Sequence, residues 1–257
     1  MDGVSTVVTT RESELAASLA ALRERLARAA DAAGRDVAEI ALLPVTKFFP
    51  ASDIRILYGL GCREFAESRE QEASKKAAEL AGEFAGHPVR WHMVGRIQRN
   101  KARAVARWAY AAHSVDSAKL IAALDRGAAD ALGDGVRTAP LRVYLQLSLD
   151  GDVERGGVDV DQPELIDELC AAVDSAEALE FVGLMGIPPL GADAESAFAR
   201  LQSEWRRVRQ RRKEIGRGQR FELSAGMSGD LEMAVRHGST CVRVGTALMG
   251  PRPLTSP

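Results

Sequence analysis

From about residue 40 onward the chain alternates, with little irregularity, between short β-branched or apolar runs and longer amphipathic segments. The runs fall at residues 40–46, 64–66, 90–94, 109–113, 141–149, 179–185, 220–224 and 240–244. Between them, residues 52–60, 70–80, 100–108, 117–125, 162–173, 194–215 and 229–236 carry apolar side chains at helical spacing. Strands separated by helices must cross over and run parallel, and eight such units close on one another as a barrel. A doubly wound open sheet would alternate in the same way, but no GxGxxG follows the first run and no change of composition divides the chain into halves. The predicted fold class is therefore α/β, a single (β/α)8 TIM-type barrel, and a length of 257 residues suits one such barrel. The domain spans 1–257, its core about 10–250, with a Pro/Ser-rich tail expected to be loose. An extra N-terminal helix precedes the barrel: Thr10 is read as its cap, Ser13 and Glu14 as its first turn, Leu15, Leu19, Leu22 and Leu26 as its buried stripe, and Gly34 as its stop.

Charge narrows the function classes. A net charge of -2 with 27% charged residues argues against a nucleic-acid or membrane-surface binder, which needs a basic excess. The basic stretch from Arg206 to Lys213 reads as the solvated face and end of a long helix, or else as a patch for an acidic partner. Cys62, Cys170 and Cys241 are scattered, outside any CxxC pair, and read as reduced thiols. The N-terminus lacks the basic start and apolar run of a signal peptide, and no stretch is apolar enough to span a membrane. A cytoplasmic protein is expected. His87, His92, His113 and His237 have no ligand spacing with the cysteines, so no metal is expected.

In a barrel, chemistry sits on the loops that follow the strands. There the chain places Lys47 after the first strand, Glu67 and Ser68 after the second, His92 on the third, and His113 and Ser114 at the end of the fourth. Met185 and Gly186-Ile187-Pro188 end the sixth. The seventh runs into Ser224-Ala225-Gly226-Met227-Ser228-Gly229-Asp230, and the eighth into Arg243-Val244-Gly245-Thr246. Gly226, Ser228 and Gly229 before one helix, and Gly245 and Thr246 one strand later, bring free N–H groups and hydroxyls to the place where barrels often hold phosphate. They equally suit ordinary turns, with Ser228 as an N-cap and Asp230 in the first turn. Arg243, near the end of an otherwise apolar strand, needs a partner. Lys47, flanked by Val45, Phe48 and Phe49, is either a lysine reaching to solvent or a partly desolvated amine able to attack an aldehyde. With a phosphate site opposite, that aldehyde would be pyridoxal 5'-phosphate (PLP) or a sugar-phosphate aldolase intermediate.

Taken together, these residues resemble a known family, the PLP homeostasis proteins, which are similar to the N-terminal domain of alanine racemase. The matching stretches are Leu43-Pro44-Val45-Thr46-Lys47, Phe65-Ala66-Glu67-Ser68 with Gln71-Glu72, and Trp91-His92-Met93-Val94-Gly95 with Gln98-Arg99-Asn100-Lys101. They continue with Ser114-Val115-Asp116, residues 183–188, residues 224–230 and Val242-Arg243-Val244-Gly245-Thr246-Ala247. The resemblance implies a PLP-binding barrel in which Lys47 carries the cofactor as a Schiff base. Ser228, Gly245 and Thr246 would contact the phosphate and Arg243 would face the ring nitrogen, with Ser68, His92, Met185, Ser224, Gly226 and Met227 completing the site. Two departures stand out. The family's Gly-Glu-Asn is Ala66-Glu67-Ser68 here, and the lysine usual after strand five is Arg155, before Gly156-Gly157.

The resemblance leaves two functions open: storage and delivery of PLP without strong turnover, or amino-acid racemisation. Two-base racemisation needs an acid or base on each face of the substrate. Alanine racemase takes its tyrosine from an additional β-domain, whereas Tyr58, Tyr110 and Tyr144 all fall away from the expected barrel mouth. His92 or His113 could substitute, although a histidine on a strand more often serves the core. The carrier is the favoured reading, no residue is assigned a catalytic role, and the expected partners are PLP and apo-enzymes that need it. No apolar stripe calls for a second copy, and a monomer is expected.

Overall fold

The computed structural model describes residues 3–84, 86–152, 155–189, 191, 193–217 and 220–252. Strands β1 (Ala41–Pro44), β2 (Glu64–Glu67), β3 (Arg90–Met93), β4 (Ala111–Val115) and β5 (Leu141–Ser148) are followed by a short β6 (Val158–Asp159) and by β7 (Leu179–Gly186), β8 (Glu222–Ser224) and β9 (Cys241–Val244). All pairings are parallel, in the order β1-β9-β8-β7-β5-β4-β3-β2, with β6 attached to the end of β5. The ring closes where Val45 bridges Ala66 and the Thr46 N–H donates to the Ala66 carbonyl at 3.0 Å. Eight strands thus form the expected barrel. The unanticipated β6 is two residues long, too short to leave a periodic signal.

Helices α1 (Gly3–Ala32), α2 (Ala51–Gly59), α3 (Glu70–Leu80), α4 (Ala102–Trp108), α5 (Ala118–Gly133), α6 (Pro163–Asp174), α7 (Ala194–Glu214), α8 (Leu231–Arg236) and α9 (Thr246–Met249) complete the chain. The backbone of α1 is helical on both sides of Thr10, so Thr10 is not its cap: nothing before it breaks a helix, and β-branched residues disfavour one only weakly. Leu15, Leu19, Leu22 and Leu26 are buried as expected. The fifth helix runs eight residues past the expected end at Asp125, through Gly127. A Cβ there would lie 2.8 Å from the Arg103 Cα, so this glycine serves the close approach of α4 and α5 rather than a stop. The tail beyond Arg252 lies outside the described residues. None of the described helices is long and apolar enough to cross a membrane.

The period of two along each strand divides the core. Val242 and Val244 face outward beneath α1 and α8, while Cys241 and Arg243 face inward; likewise Val143 and Leu145 pack outward and Tyr144 inward. The basic stretch of α7 is less solvated than expected. Arg207 grips Asp167 of α6 at 2.9 Å and Arg212 grips Asp174 at 2.6 Å, so part of this stretch fastens two helices together. The three cysteines are unpaired, with Cys170 and Cys241 buried and Cys62 partly so.

Candidate functional site

Lys47 occupies the turn leaving β1, half-buried, with its ammonium 5.8 Å from the centre of the Phe48 ring. Arg69 and Arg252 lie over the same ring at 5.1 and 4.7 Å. Burial pushes the Lys47 amine below the usual lysine range; Arg252 and Arg69 push the same way, and Glu67 and Glu72 oppose them. The backbone around it is held from behind. Phe48 is left-handed (φ 71), alone among the described non-glycine residues, and its N–H donates to Glu72 Oε1 at 2.7 Å. Glu72 Oε1 also accepts from Lys76 Nζ at 2.7 Å. That buried ammonium further donates to Glu67 Oε1 at 2.8 Å and the Thr46 carbonyl at 3.0 Å. Residues on both sides of Lys47 are therefore fixed by one polar cluster. Glu72 stands in one of the matching motifs with no role attached to it, and no motif marks Lys76. Its signal is the four-residue spacing from Glu72 on the face of α3 that also buries Ala73 and Leu80.

Beside the strand that Lys47 follows, β9 pairs with β1 and β8 with β9, and these two strands deliver the expected loops. Gly226 has φ 91, and a Cβ there would meet Ala234 Cβ at 2.5 Å, so only glycine brings the loop this close to α8. Met227 is exposed, and its N–H donates to Asp230 Oδ1 at 2.5 Å. Ser228 is not an N-cap: Asp230 takes the position before α8, and Ser228 Oγ instead accepts from the Ala247 N–H at 3.2 Å. The hydroxyl thus ties the two loops side by side, because the parallel pairing of β8 with β9 brings them within reach. Gly245 caps α9, and helix geometry leaves the Thr246 N–H without an intrahelical partner. The N-terminal helix contributes here, since Arg25 donates to the Ser228 carbonyl at 2.7 Å.

Beneath the mouth a polar chain runs down the barrel. Arg243, 4% exposed, donates to the Gly186 carbonyl at 3.1 Å and to Ser224 Oγ at 2.6 Å. Ser224 Oγ lies 2.9 Å from His113 Nδ1, His113 Nε2 lies 2.9 Å from His92 Nδ1, and His92 Nε2 faces Glu64 Oε2 at 3.4 Å. Arginine can only donate and a carboxylate only accept, so the ends orient the links: Ser224 gives its hydrogen to His113 Nδ1, and both histidines carry theirs on Nε2. Burial drives the His113 pKa well below the ordinary histidine range, with His92 and Arg243 adding to it. Burial works against ionised Glu64, but His92 and Arg90 prevail and hold it below the usual carboxylate range.

The remaining expected residues are dispersed. Ser68 is partly buried at the end of β2, with Gly95 packed against its carbonyl. His92 sits deeper than the mouth, joined to Ser224 only through His113. Met185 is buried against Tyr144, Val182 and Ala111 inside the barrel. Arg155 binds Asp150 and the Pro188 carbonyl, each at 3.2 Å.

This geometry has close counterparts. The alanine racemase N-terminal domain family matches residues 17–253. A pyridoxal phosphate homeostasis protein of Mycobacterium tuberculosis is 62% identical over 253 residues, 96% of each chain. The chain belongs to the pyridoxal phosphate homeostasis protein family. Among solved structures, PipY of Synechococcus elongatus with PLP bound is 33% identical, with a TM-score of 0.74 over 92% of this chain and 100% of that one. A protein of Bifidobacterium adolescentis whose function is not known is 29% identical, with a TM-score of 0.82 over 93% of this chain and 96% of that one.

Proposed function

We propose that this protein binds PLP and keeps it in reserve for apo-enzymes in the cytoplasm, with Lys47 as the covalent tether. The observation that carries the reading is the setting of Lys47: a partly buried amine with a lowered pKa, at the end of the strand that pairs with β9, next to a loop pair built from small residues and hydroxyls. The residues suit the cofactor. Ser228, Gly245 and Thr246 would hold its phosphate and Arg243 its ring nitrogen, while Lys47 would bond to its aldehyde. When bound, the cofactor supplies an electrophilic carbonyl; what the chain supplies is the Lys47 Nζ amine, whose lowered pKa makes the nucleophilic neutral form more accessible. Burial lowers the Arg243 pKa, yet a guanidinium keeps its proton at physiological pH. A ring nitrogen facing it would receive a hydrogen bond rather than a proton, which makes the ring a poorer electron sink without by itself deciding between storage and turnover.

The polar chain supports the same reading. His113 and His92 are committed to each other, and the Tyr144 hydroxyl donates to Glu222 deep in the barrel. Neither pair offers a base at the mouth for the second face of a substrate, so racemisation is not favoured. Purified protein should show a visible absorption band that borohydride fixes and Lys47→Ala abolishes, and should load an apo-enzyme faster than released PLP does. A band that survives Lys47→Ala would overturn the tether, and loading no faster than from free PLP would overturn delivery.

A further inference from the structure

Behind the Lys47 turn, on the side away from the β8 and β9 loops, lies a cavity of about 900 Å³ between α2, α3 and the segment from Arg96 to Val105. Its floor is apolar, formed by the buried side chains of Met93, Ile97 and Val105. Its lining includes Ser68, expected at the edge of the cofactor site, together with Gln71, Glu72, Gln98 and Lys101, four residues of the sequence motifs to which PLP binding assigns no role.

The lining holds six cationic side chains and three carboxylates. Each carboxylate is already paired: Glu79 with Arg55 at 3.1 Å, Glu70 with Lys101 at 3.5 Å and Glu72 with Lys76 at 2.7 Å. Arg69 and Lys75 have no carboxylate partner among the described residues. Arg55 and Lys76 are further compensated by Glu83 and Glu67, so the charge without a carboxylate partner among the described residues is that of Arg69 and Lys75. Two such cations near an apolar floor suit an anion attached to a flat or apolar body. Two of its walls touch the Lys47 turn: Phe48 lines it beneath the Arg69 guanidinium, and Glu72 lines it while holding the strained Phe48 N–H. An anion there competes with Phe48 for Arg69 and with Glu72 for Lys76.

We propose that this cavity is a second ligand site, separate from the Lys47 mouth, that takes a phosphate ester carried on a planar ring and loosens the hold on Lys47 through Arg69 and Glu72. The site stands on its own lining; its effect on Lys47 rests on the tether reading above.

The test uses full-length protein with PLP fixed to Lys47 by borohydride, so that the mouth is blocked. Pyridoxine 5'-phosphate, which has no aldehyde, AMP and inorganic phosphate are titrated by equilibrium dialysis while the fluorescence of the fixed pyridoxyl group is followed. One further equivalent of an ester should bind and shift that fluorescence, and Lys75→Glu and Arg69→Gln should each weaken binding by about tenfold. Preference for one ester identifies whether a B6 vitamer or a nucleotide is the source. No uptake, uptake indifferent to both substitutions, or equal affinity for inorganic phosphate overturns the site, and uptake with unchanged fluorescence overturns the coupling. If borohydride fixes nothing, the tether reading fails by itself, and the cavity is then titrated in the Lys47→Ala protein.

Discussion

His113 Nε2 lies 2.9 Å from His92 Nδ1 inside the barrel, and this contact is a central link in the chain from Arg243 to Glu64. It works only while His113 is neutral, because protonation would place a second hydrogen on a ring whose Nδ1 must accept from Ser224. The unfolded chain has an ordinary histidine there, with a pKa of about 6.5. Since the folded pKa is depressed, the unfolded state binds more protons below that pH. His113 therefore contributes stability above about pH 6.5 that is lost on acidification, at up to about 1.4 kcal/mol per pH unit. Urea unfolding between about pH 7 and pH 5 should show that slope, and His113→Gln should flatten it.

Ser224 is the joint between the buried guanidinium and the histidine. Ser224→Ala leaves an Arg243 donor and His113 Nδ1 unpaired in a dry interior and should cost roughly 1–3 kcal/mol, read from the denaturant midpoint. An unchanged midpoint would mean that water replaces the hydroxyl.

Arg252 helps lower the pKa of the Lys47 amine. Removing it by Arg252→Ala raises the Lys47 pKa, so the pH profile of PLP uptake should move upward and uptake at neutral pH should slow. Glu72→Gln removes a carboxylate that opposes this effect and should move the profile downward. Stopped-flow absorbance across pH reads both directions.

Lys76 and Glu67 form a buried ion pair at 2.8 Å. Lys76→Met strands the carboxylate and should cost about 3–5 kcal/mol in urea unfolding. The double substitution Lys76→Met with Glu67→Gln should cost less than the sum of the single ones, because the orphaned charge is then gone.

Gly226→Ala adds a methyl group 2.5 Å from Ala234 Cβ at a left-handed position. A cost of roughly 1–3 kcal/mol and weaker PLP retention should appear together, by thermal melting and by dialysis. Retention unaffected in a destabilised variant would separate the loop from the cofactor.

The barrel was legible because a period of two in the strands and 3.6 in the helices survives in a linear string, and because parallel strands need helical crossovers. Lys47, Ser228, Gly245 and Thr246 stood out as candidates because loops after barrel strands are where function sits, and Arg243 because a charge in an apolar strand demands a partner, which the structure supplies as Ser224 and the Gly186 carbonyl. Element ends were less legible: the fifth amphipathic segment was expected to end at Asp125, yet α5 continues through Gly127, where α4 packs against it, to Gly133. Ser228 suited a cap of the next helix as well as a phosphate contact, and its hydroxyl in fact reaches a neighbouring loop nineteen residues away.

By itself, the sequence determined the eight-fold alternation, the identity of the candidate tether and the small-residue loops, since each depends on local pattern. Only the tertiary structure decided that Lys47 is held from behind by Glu72 and Lys76, and that Arg243 reaches Glu64 through Ser224, His113 and His92. Those partners are scattered along the chain, and a hydrogen bond depends on distance and direction, which arise only when the barrel closes.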